Sequence, residues 1–251
     1  MDLGLKGKTA LVTGAGSRIG FGRAISLTLA QEGCEIIVND LDPDGAAKTV
    51  DEVKTLGVKA TAITADITKN ATVKEMVGKA LGEFGKIDIL VNNAGGCTPP
   101  KPFMEMTEDE WEFDINVNLK GMLYCTRAVL PGMIERKYGK VISLISGAGL
   151  NGGAMTAIYS AAKGGIYSFS MALAKEMAPH GININCVSPG PAITGFAKNA
   201  PPGMLEEFAK SIPLGRLTEP QDVANTVTFL ASDISADIVG QALIVTGNVT
   251  A

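Results

Sequence analysis

The sequence predicts an α/β fold in which a parallel sheet of about seven strands carries helices on both faces. Short, nearly continuous apolar runs alternate with segments of helical periodicity along the whole chain. Strands that are apolar on both sides are typical of a parallel sheet covered by helices. In addition, the glycines and polar residues described below directly follow predicted strands, where the ligands of such sheets bind. These observations together predict a doubly wound sheet.

The first half of the chain is predicted to begin with a strand, a glycine-rich turn and a helix. Residues 8–13 form a short β-branched and apolar run, and residues 23–31 repeat apolar side chains with helical spacing. The same alternation then continues. The next predicted elements are a strand at 35–39, a helix at 44–56, a strand at 59–64, a helix at 71–84 and a strand at 87–91.

The second half of the chain keeps the alternation but has longer helical segments. An irregular stretch rich in proline and glycine interrupts it near residue 190. The predicted elements are a helix at 108–136, a strand at 140–145, a helix at 157–178, a strand at 183–187, a helix at 221–231 and a strand at 242–246.

Composition limits the class of protein. With 251 residues, 46% of them apolar, and no low-complexity segment, the chain can bury one large core, and we expect one domain over residues 1–251. The first residues lack the charged-then-apolar order of a secretory signal, and no apolar run approaches the ~20 residues that span a bilayer. We therefore expect a soluble, cytoplasmic protein.

The sequence does not indicate a metal or nucleic-acid site. The four cysteines are scattered without a C-x-x-C pair, so they predict neither a disulfide framework nor a zinc cluster. His180 is the only histidine, which argues against a multi-histidine metal site. A net charge of -4 without a basic stripe argues against a nucleic-acid surface. We expect no metal, no nucleic acid and no membrane among its partners.

The turn after the first strand predicts a dinucleotide site. Residues 13–22 contain four glycines, and glycines there let backbone amides approach a pyrophosphate at a helix N-terminus. Asp40 ends the second strand, where an acid accepts hydrogen bonds from the adenosine ribose and repels a 2′-phosphate. NAD is therefore favoured over NADP. Arg18 favours NADP instead, since an inward-pointing arginine could accept that phosphate.

A tyrosine and a lysine four residues apart predict a proton-transfer site. Tyr159 and Lys163 share one face of a predicted helix, and Ser146 closes the apolar run before it. An adjacent ammonium favours the phenolate form of tyrosine, whose ordinary pKa is about 10. Such tuning is how general acid/base chemistry runs near neutrality. The same spacing also occurs on solvated helix faces, so the other motifs decide between the two interpretations.

These motifs, taken in order, resemble those of the short-chain dehydrogenase/reductase family of single-domain Rossmann oxidoreductases. The glycine turn is followed by the tetrad at residues 92–95, by Asn118, and then by Ser146, Tyr159 and Lys163. The resemblance covers about residues 6–247. Motifs in register along the whole chain are far more specific than any one of them alone.

The resemblance implies catalytic roles for four residues. Tyr159 would be the general acid/base on the substrate oxygen, and Lys163 would lower the pKa of Tyr159 and bind the nicotinamide ribose. Ser146 would donate to the substrate oxygen and stabilise its developing charge. Asn118 would hold a water that links Lys163 to solvent. From the residues alone, Asn118 is equally well a polar residue that kinks its helix.

The resemblance also implies a cofactor-binding set spread over several strand ends. Asp66 would meet the adenine ring, the tetrad would pass close to the adenosine ribose, and residues 191–213 would form a mobile cover over the substrate. The expected cofactor-binding residues are Gly14, Ser17, Arg18, Gly20, Phe21, Asp40, Asp66, Ile67, Asn93, Ala94, Gly95, Tyr159, Lys163, Pro189, Gly190, Ile193 and Thr194.

The glycine turn departs from the family pattern. Family members usually place three residues between the first and second glycines, whereas five lie between Gly14 and Gly20 if Gly20 and Gly22 are taken as the later pair. In a second alignment Gly20 is the third glycine, Arg18 replaces the second, and the helix start moves along the chain. Residues 23–25 fit the usual helix opening and favour the first alignment.

The leading functional hypothesis is an NAD-dependent oxidoreductase that interconverts a secondary alcohol and a ketone without a metal. The small, apolar wall at residues 147–158 would admit a ring-bearing hydroxy compound. A hydroxyacyl-CoA thioester is a further substrate class, because the segments at 189–194 and 212–217 resemble those of family members acting on such thioesters. Basic side chains that could line a route for a CoA phosphate are Lys101, Lys198, Lys210 and Arg216.

Two alternative functions remain open, and an oligomeric state is expected. One alternative is a 3-oxoacyl-carrier-protein reductase that uses NADPH, and the other is a non-catalytic subunit of a hetero-oligomer whose longer glycine turn no longer binds cofactor. The resemblance implies a homodimer or homotetramer formed by the helices predicted at 108–136 and 157–178, because most such oligomers are symmetric. A hetero-oligomer with a related partner chain is the alternative assembly.

Overall fold

The computed structural model describes residues 1–192 and 204–248. Within them lies one seven-stranded sheet whose order is β3-β2-β1-β4-β5-β6-β7 and whose neighbouring strands are all parallel. The strands are β1 Thr9–Thr13, β2 Glu35–Asp40, β3 Ala60–Thr64, β4 Ile89–Asn92, β5 Gly139–Leu144, β6 Ile182–Pro189 and β7 Ala242–Val245. The order reverses between β1 and β4, so the predicted doubly wound Rossmann fold is confirmed.

The helices of the described residues cover both faces of this sheet. They are α1 Phe21–Gln31, α2 Pro43–Lys54, α3 Asn70–Phe84, α4 Glu108–Asp114, α5 Gly121–Arg136, α6 Gly147–Asn151, α7 Ala157–Met177, α8 Met204–Ser211 and α9 Pro220–Ala231. The single helix predicted over 108–136 is wrong in one respect, because a π-helical segment, Ile115–Lys120, separates α4 from α5. α6 and α8 were not predicted.

Local chemistry explains where two of these helices begin. Asp42 N-caps α2 by accepting a hydrogen bond from the Asp44 amide, and Pro43 occupies the first helical turn, where no amide donor is needed. Thr107 and Glu110 form a reciprocal capping box at the start of α4. Both caps satisfy backbone donors that would otherwise lack a partner.

The core consists of two apolar layers, one on each face of the sheet. Adjacent residues of β2 illustrate the division, since Ile36 belongs to the layer that includes α1 and α9 residues, whereas Ile37 belongs to the layer that includes α3 and α5 residues. This alternation follows from the two-residue period of a strand. No helix within the described residues is long and apolar enough to cross a membrane.

Candidate active site

A cavity of roughly 470 Å³ opens at the carboxyl ends of β1 to β4. This is the crevice where the strand order reverses, the usual ligand site of such sheets. Its lining residues are Gly14, Ser17, Gly20, Phe21, Asn39, Asp40, Leu41, Ala65, Asp66, Ile67, Thr68, Asn93, Ala94, Gly95 and Val117. Ten of the residues predicted from the sequence line this cavity. Arg18 is exposed and lies outside the described lining.

The glycine turn leaves no room for side chains at two of its positions. A Cβ on Gly22 would lie 2.6 Å from both the Gly14 carbonyl oxygen and the Asn93 Nδ2. Gly14 has a φ of +64° and directly faces Ala94, whose Cα would be 2.7 Å from an added Cβ. Helix α1 begins at Phe21, directly after Gly20. The sequence predicted this helix from residue 23, so the helix begins two residues earlier than expected.

Asp40 links the longer glycine turn to β2. One carboxylate oxygen accepts a hydrogen bond from the Gly16 amide at 2.7 Å, and the other accepts one from the Asp42 amide at 3.0 Å. A Cβ on Gly16 would be 2.8 Å from the Asp40 Cγ. The additional turn residues thus pack against the end of β2, and the carboxylate still faces the cavity.

The ends of β3 and β4 supply the opposite wall of the cavity. Asp66 accepts hydrogen bonds from the Thr68 amide and hydroxyl, and the hydroxyl bond is the main cause of its lowered pKa. Asn93 donates from Nδ2 to the Thr13 and Gly14 carbonyls at 2.8 and 2.9 Å. Asn93 therefore fixes the β4 end against the glycine turn.

Ser146, Tyr159 and Lys163 come together beyond the end of β5. Ser146 N-caps α6, and its side chain is hydrogen-bonded with Tyr159. Tyr159 and Lys163 lie one turn apart on α7, with the Lys163 Nζ 5.8 Å from the Tyr159 ring centre. The Lys163 ammonium donates to the Leu144 carbonyl at 2.8 Å. Two hydroxyls and a buried cation thus share one small site.

Burial controls the electrostatics of this site. Burial raises the pKa of Tyr159 above its ordinary value, the hydrogen bond with Ser146 opposes the rise, and the charges of Cys97 and Asp114 add to it. Lys163 is not among the causes of this shift in the protein alone, and its lowering of the Tyr159 pKa stays a prediction. Burial also lowers the pKa of Lys163 from 10.5 to about 8. Lys163 is thus a cation at neutral pH but loses its charge readily.

Asn118 lies in the π-helical segment and is 1% exposed. Its Nδ2 donates to the Gly96 carbonyl at 2.7 Å and to the Asp114 carbonyl at 2.8 Å, and its Oδ1 accepts from the Gly96 amide. A Cβ on Gly95 would lie 2.7 Å from the Asn118 Oδ1 and 3.4 Å from the Lys163 Nζ. Asn118 and Lys163 are therefore neighbours across Gly95.

The segment after β6 is described only in part. Gly190 donates its amide to the Val245 carbonyl at 2.8 Å, and Pro189 ends β6. Ile193 and Thr194 lie outside the described residues, as do residues 193–203 of the cover predicted at 191–213.

Two of the four basic side chains predicted along a phosphate route are engaged in ion pairs. Lys101 pairs with Glu110 at 2.5 Å, and Arg216 makes two contacts with Asp222 at 2.6 and 3.0 Å. Lys198 lies outside the described residues. Lys210, an exposed residue on α8, is the remaining described residue of that set.

The fold and the position of this cavity are typical of an α/β protein of the nucleotide-binding type. Residues 8–204 match the family described as short chain dehydrogenase. The chain belongs to the short-chain dehydrogenase/reductase family. The relatives described next are oxidoreductases that act on hydroxyl and keto groups.

Similar proteins cover nearly the whole chain. The (2S)-[(R)-hydroxy(phenyl)methyl]succinyl-CoA dehydrogenase subunit BbsD of Thauera aromatica is 39% identical over 245 residues, 98% of this chain and 97% of that protein. The 3-oxoacyl-[acyl-carrier-protein] reductase FabG of Staphylococcus epidermidis is 41% identical over 241 residues, 96% of this chain and 98% of that protein. FabG of Thermotoga maritima is 37% identical over 243 residues, 97% of this chain and 98% of that protein.

Proposed function

We propose that the chain is an NAD-dependent dehydrogenase that interconverts a secondary alcohol and a ketone, with Tyr159 as its general acid/base. The observation that carries this proposal is the pairing of the Ser146 and Tyr159 hydroxyls beside buried Lys163 at the end of β5. Hydroxyl donors and a nearby cation are the groups needed where an alcohol oxygen gains or loses a proton.

In the proposed mechanism the substrate oxygen lies between the Ser146 and Tyr159 hydroxyls. During oxidation Tyr159 accepts the hydroxyl proton, and during reduction it returns the proton to the carbonyl oxygen. Ser146 donates a hydrogen bond to the oxygen as charge develops there. The Lys163 cation stabilises the phenolate, and Asn118 connects Lys163 to solvent through a water.

The glycine turn and the cavity fit a dinucleotide. Gly14 and Gly22 allow the close backbone approach described above, and α1 has no acidic residue in its first turn, so its N-terminus can accept a phosphate. When bound, a nicotinamide dinucleotide supplies the hydride donor or acceptor. The Asp40 carboxylate at the cavity wall favours a free 2′-hydroxyl over a 2′-phosphate. Arg18 does not line the cavity, which supports the same preference for NAD.

The proposed substrate is an acyl thioester that carries a hydroxyl or keto group. Both kinds of relative named above act on acyl groups carried by CoA or by a carrier protein, according to their names. Apolar side chains are half-exposed near the site. The Phe113 ring lies beside Gly96, and Met155 is joined to the loop at Lys101 by a backbone hydrogen bond of 2.9 Å. Such a rim suits a ring-bearing or alkyl acyl chain.

A 3-oxoacyl-carrier-protein reductase that uses NADPH is the second candidate. The 41% identity to FabG of Staphylococcus epidermidis over 96% of this chain favours it. The two candidates differ in cofactor and in the carrier of the acyl group. A homodimer or homotetramer in the cytoplasm is proposed for either candidate, and light scattering of the purified chain tests its size.

The first experiment is calorimetric titration of the chain with NADH and with NADPH, followed by turnover assays on hydroxyacyl and oxoacyl thioesters. Preference for NADH supports the dehydrogenase, and preference for NADPH supports the reductase. Binding of neither cofactor would refute both and favour a non-catalytic subunit.

Turnover by Tyr159→Phe then tests the proposed mechanism. We expect a loss of at least about 1000-fold in kcat with NADH affinity retained, because the proton-transfer group is removed. The matched control is Tyr167→Phe, which removes a hydroxyl two turns further along α7 and should keep wild-type activity. Near wild-type turnover by Tyr159→Phe would contradict the mechanism.

A further inference from the structure

Asp114, the last residue of α4, is a carboxylate that is only 1% exposed. Its two oxygens accept hydrogen bonds from Thr98, one from the amide at 2.9 Å and one from the hydroxyl at 3.1 Å. A buried carboxylate is costly unless such donors satisfy it. The pairing therefore fixes Thr98 firmly against the end of α4.

The residues that follow Asp114 hold the start of the same loop, residues 96–98. Asn118 exchanges two hydrogen bonds with Gly96, and the Asp114 carbonyl accepts a third bond from the Asn118 amide. Residues 96–98 are thus held at one end by Asn118 and at the other by Asp114. Cys97 lies between these two attachment points, and its thiol contacts the Thr98 carbonyl at 3.2 Å.

Residues 96–98 directly adjoin the site formed by Tyr159 and Lys163. Gly95 precedes them and lies against both Asn118 and Lys163. A shift of residues 96–98 would therefore move the Asn118 amide relative to the Lys163 ammonium.

We propose that Asp114 is a positioning residue of the reaction, which holds residues 96–98 and through them keeps Asn118 in place beside Lys163. This proposal rests on the proposed function of the Tyr159 site. It goes beyond the four catalytic residues that the family motifs indicate.

The charge of Asp114 adds a second effect on the site. The groups that face Tyr159 are the Ser146 hydroxyl, the Cys97 thiol, the Asp114 carboxylate and, one turn away on α7, the Lys163 ammonium. Asp114 raises the pKa of Tyr159 and also that of Cys97, which burial and this charge bring to about 11. A neutral residue at this position would lower both values.

Cys97 provides a reporter that does not depend on activity. It is the partly exposed cysteine of the chain, whereas Cys34, Cys125 and Cys186 are buried. The rate of its alkylation by iodoacetamide follows both its thiolate fraction and the mobility of residues 96–98. A pKa lower by about half a unit multiplies the thiolate fraction about threefold.

The test compares Asp114→Asn and Thr98→Val with Glu112→Gln, a control that removes an exposed carboxylate from the same helix. For Asp114→Asn we expect alkylation of Cys97 at least about threefold faster, with a lower thiol pKa. Thr98→Val keeps the charge but loses one hydrogen bond, so its alkylation should be faster at an unchanged thiol pKa. Glu112→Gln should match the wild type.

Turnover provides the second measurement. Asp114→Asn should lower kcat for NADH-dependent reduction about tenfold or more with the KM for NADH nearly unchanged. Because Tyr159 must be protonated to reduce the substrate, a lower Tyr159 pKa should move the basic limb of the pH profile to lower pH. Alkylation rates of both variants equal to those of Glu112→Gln would overturn the proposal, and so would wild-type kcat in both. If Asp114→Asn does not fold, Thr98→Val decides the result. A wild-type chain without turnover would refute the proposed function, while the alkylation rates would still judge the role of Asp114 in holding the segment.

Discussion

Replacing Lys163 with methionine should abolish turnover and yet stabilise the fold at neutral pH. The Lys163 side chain is 5% exposed, and its pKa falls from 10.5 to about 8 on folding. One pKa unit corresponds to about 1.4 kcal/mol, so the buried ammonium costs about 3 kcal/mol near pH 7. Loss of its hydrogen bond to the Leu144 carbonyl offsets about 1 kcal/mol of this. The net gain in the free energy of unfolding is about 2 kcal/mol.

The pH dependence identifies the cause of this gain. Between about pH 8 and the unfolded value of 10.5, the unfolded chain holds a proton that folded Lys163 has lost. Wild-type stability therefore rises with pH in this window. The advantage of Lys163→Met should accordingly shrink to about zero near pH 10.

Urea unfolding followed by circular dichroism, near pH 7 and near pH 10 at equal protein concentrations, measures this difference. Lys175→Met on the exposed face of α7 is the matched control and should show no such pH dependence. A destabilised Lys163→Met at neutral pH would refute the reasoning, as would an equal difference from the wild type at both pH values.

Two further predictions concern the cofactor cavity. Asp40→Asn keeps the shape of the side chain but removes its charge, so the ratio of NADPH to NADH dissociation constants should fall about tenfold; an unchanged ratio in calorimetry would show that Asp40 does not set the preference. Gly22→Ala should abolish NADH binding and destabilise the fold, because the added Cβ would lie 2.6 Å from the Gly14 carbonyl oxygen. Gly82→Ala on α3, where an added Cβ meets no atom within 4 Å, should instead stabilise the fold by about 0.5–1 kcal/mol in urea unfolding. Wild-type cofactor affinity in Gly22→Ala would contradict the proposed close packing of the turn.

The strands were predictable because each one is an apolar run bounded by turn residues. Differences are confined to strand ends. β4, for example, begins at Ile89 rather than residue 87, since its register with β1 pairs Ile89 with Ala10. Strand ends depend on which residues pair across the sheet, and a single sequence does not reveal that pairing.

The helix α6 illustrates what local sequence cannot predict. Its residues include two glycines, which have low helix propensity. It forms because Ser146 caps it and because it packs closely on α7, where a Cβ on Gly149 would be 2.6 Å from the Lys163 carbonyl carbon. Tertiary contact thus overrides propensity.

Most of the cofactor wall was predicted from motifs, whereas the role of Asp114 was missed. A signal was present, because Asp114 and Asn118 are four residues apart and share one helix face. Their partners, Thr98 and Gly96, are distant in the sequence. The sequence pattern alone could not indicate that the segment they form would dock against this face.

The π-helical segment between α4 and α5 makes the site sensitive to chain length. A π turn accommodates one residue more than an α turn, and each α-helical residue rotates the helix by about 100°. Deleting one residue from Ile115–Lys120 would allow a continuous regular helix, but it would turn Asp114 away from the direction set by the core residues Cys125 and Val129. Amino-acid substitutions do not change the number of residues in this segment and so cannot test this effect. Single-residue deletions in this helix are therefore a sharper probe of the site than most side-chain replacements.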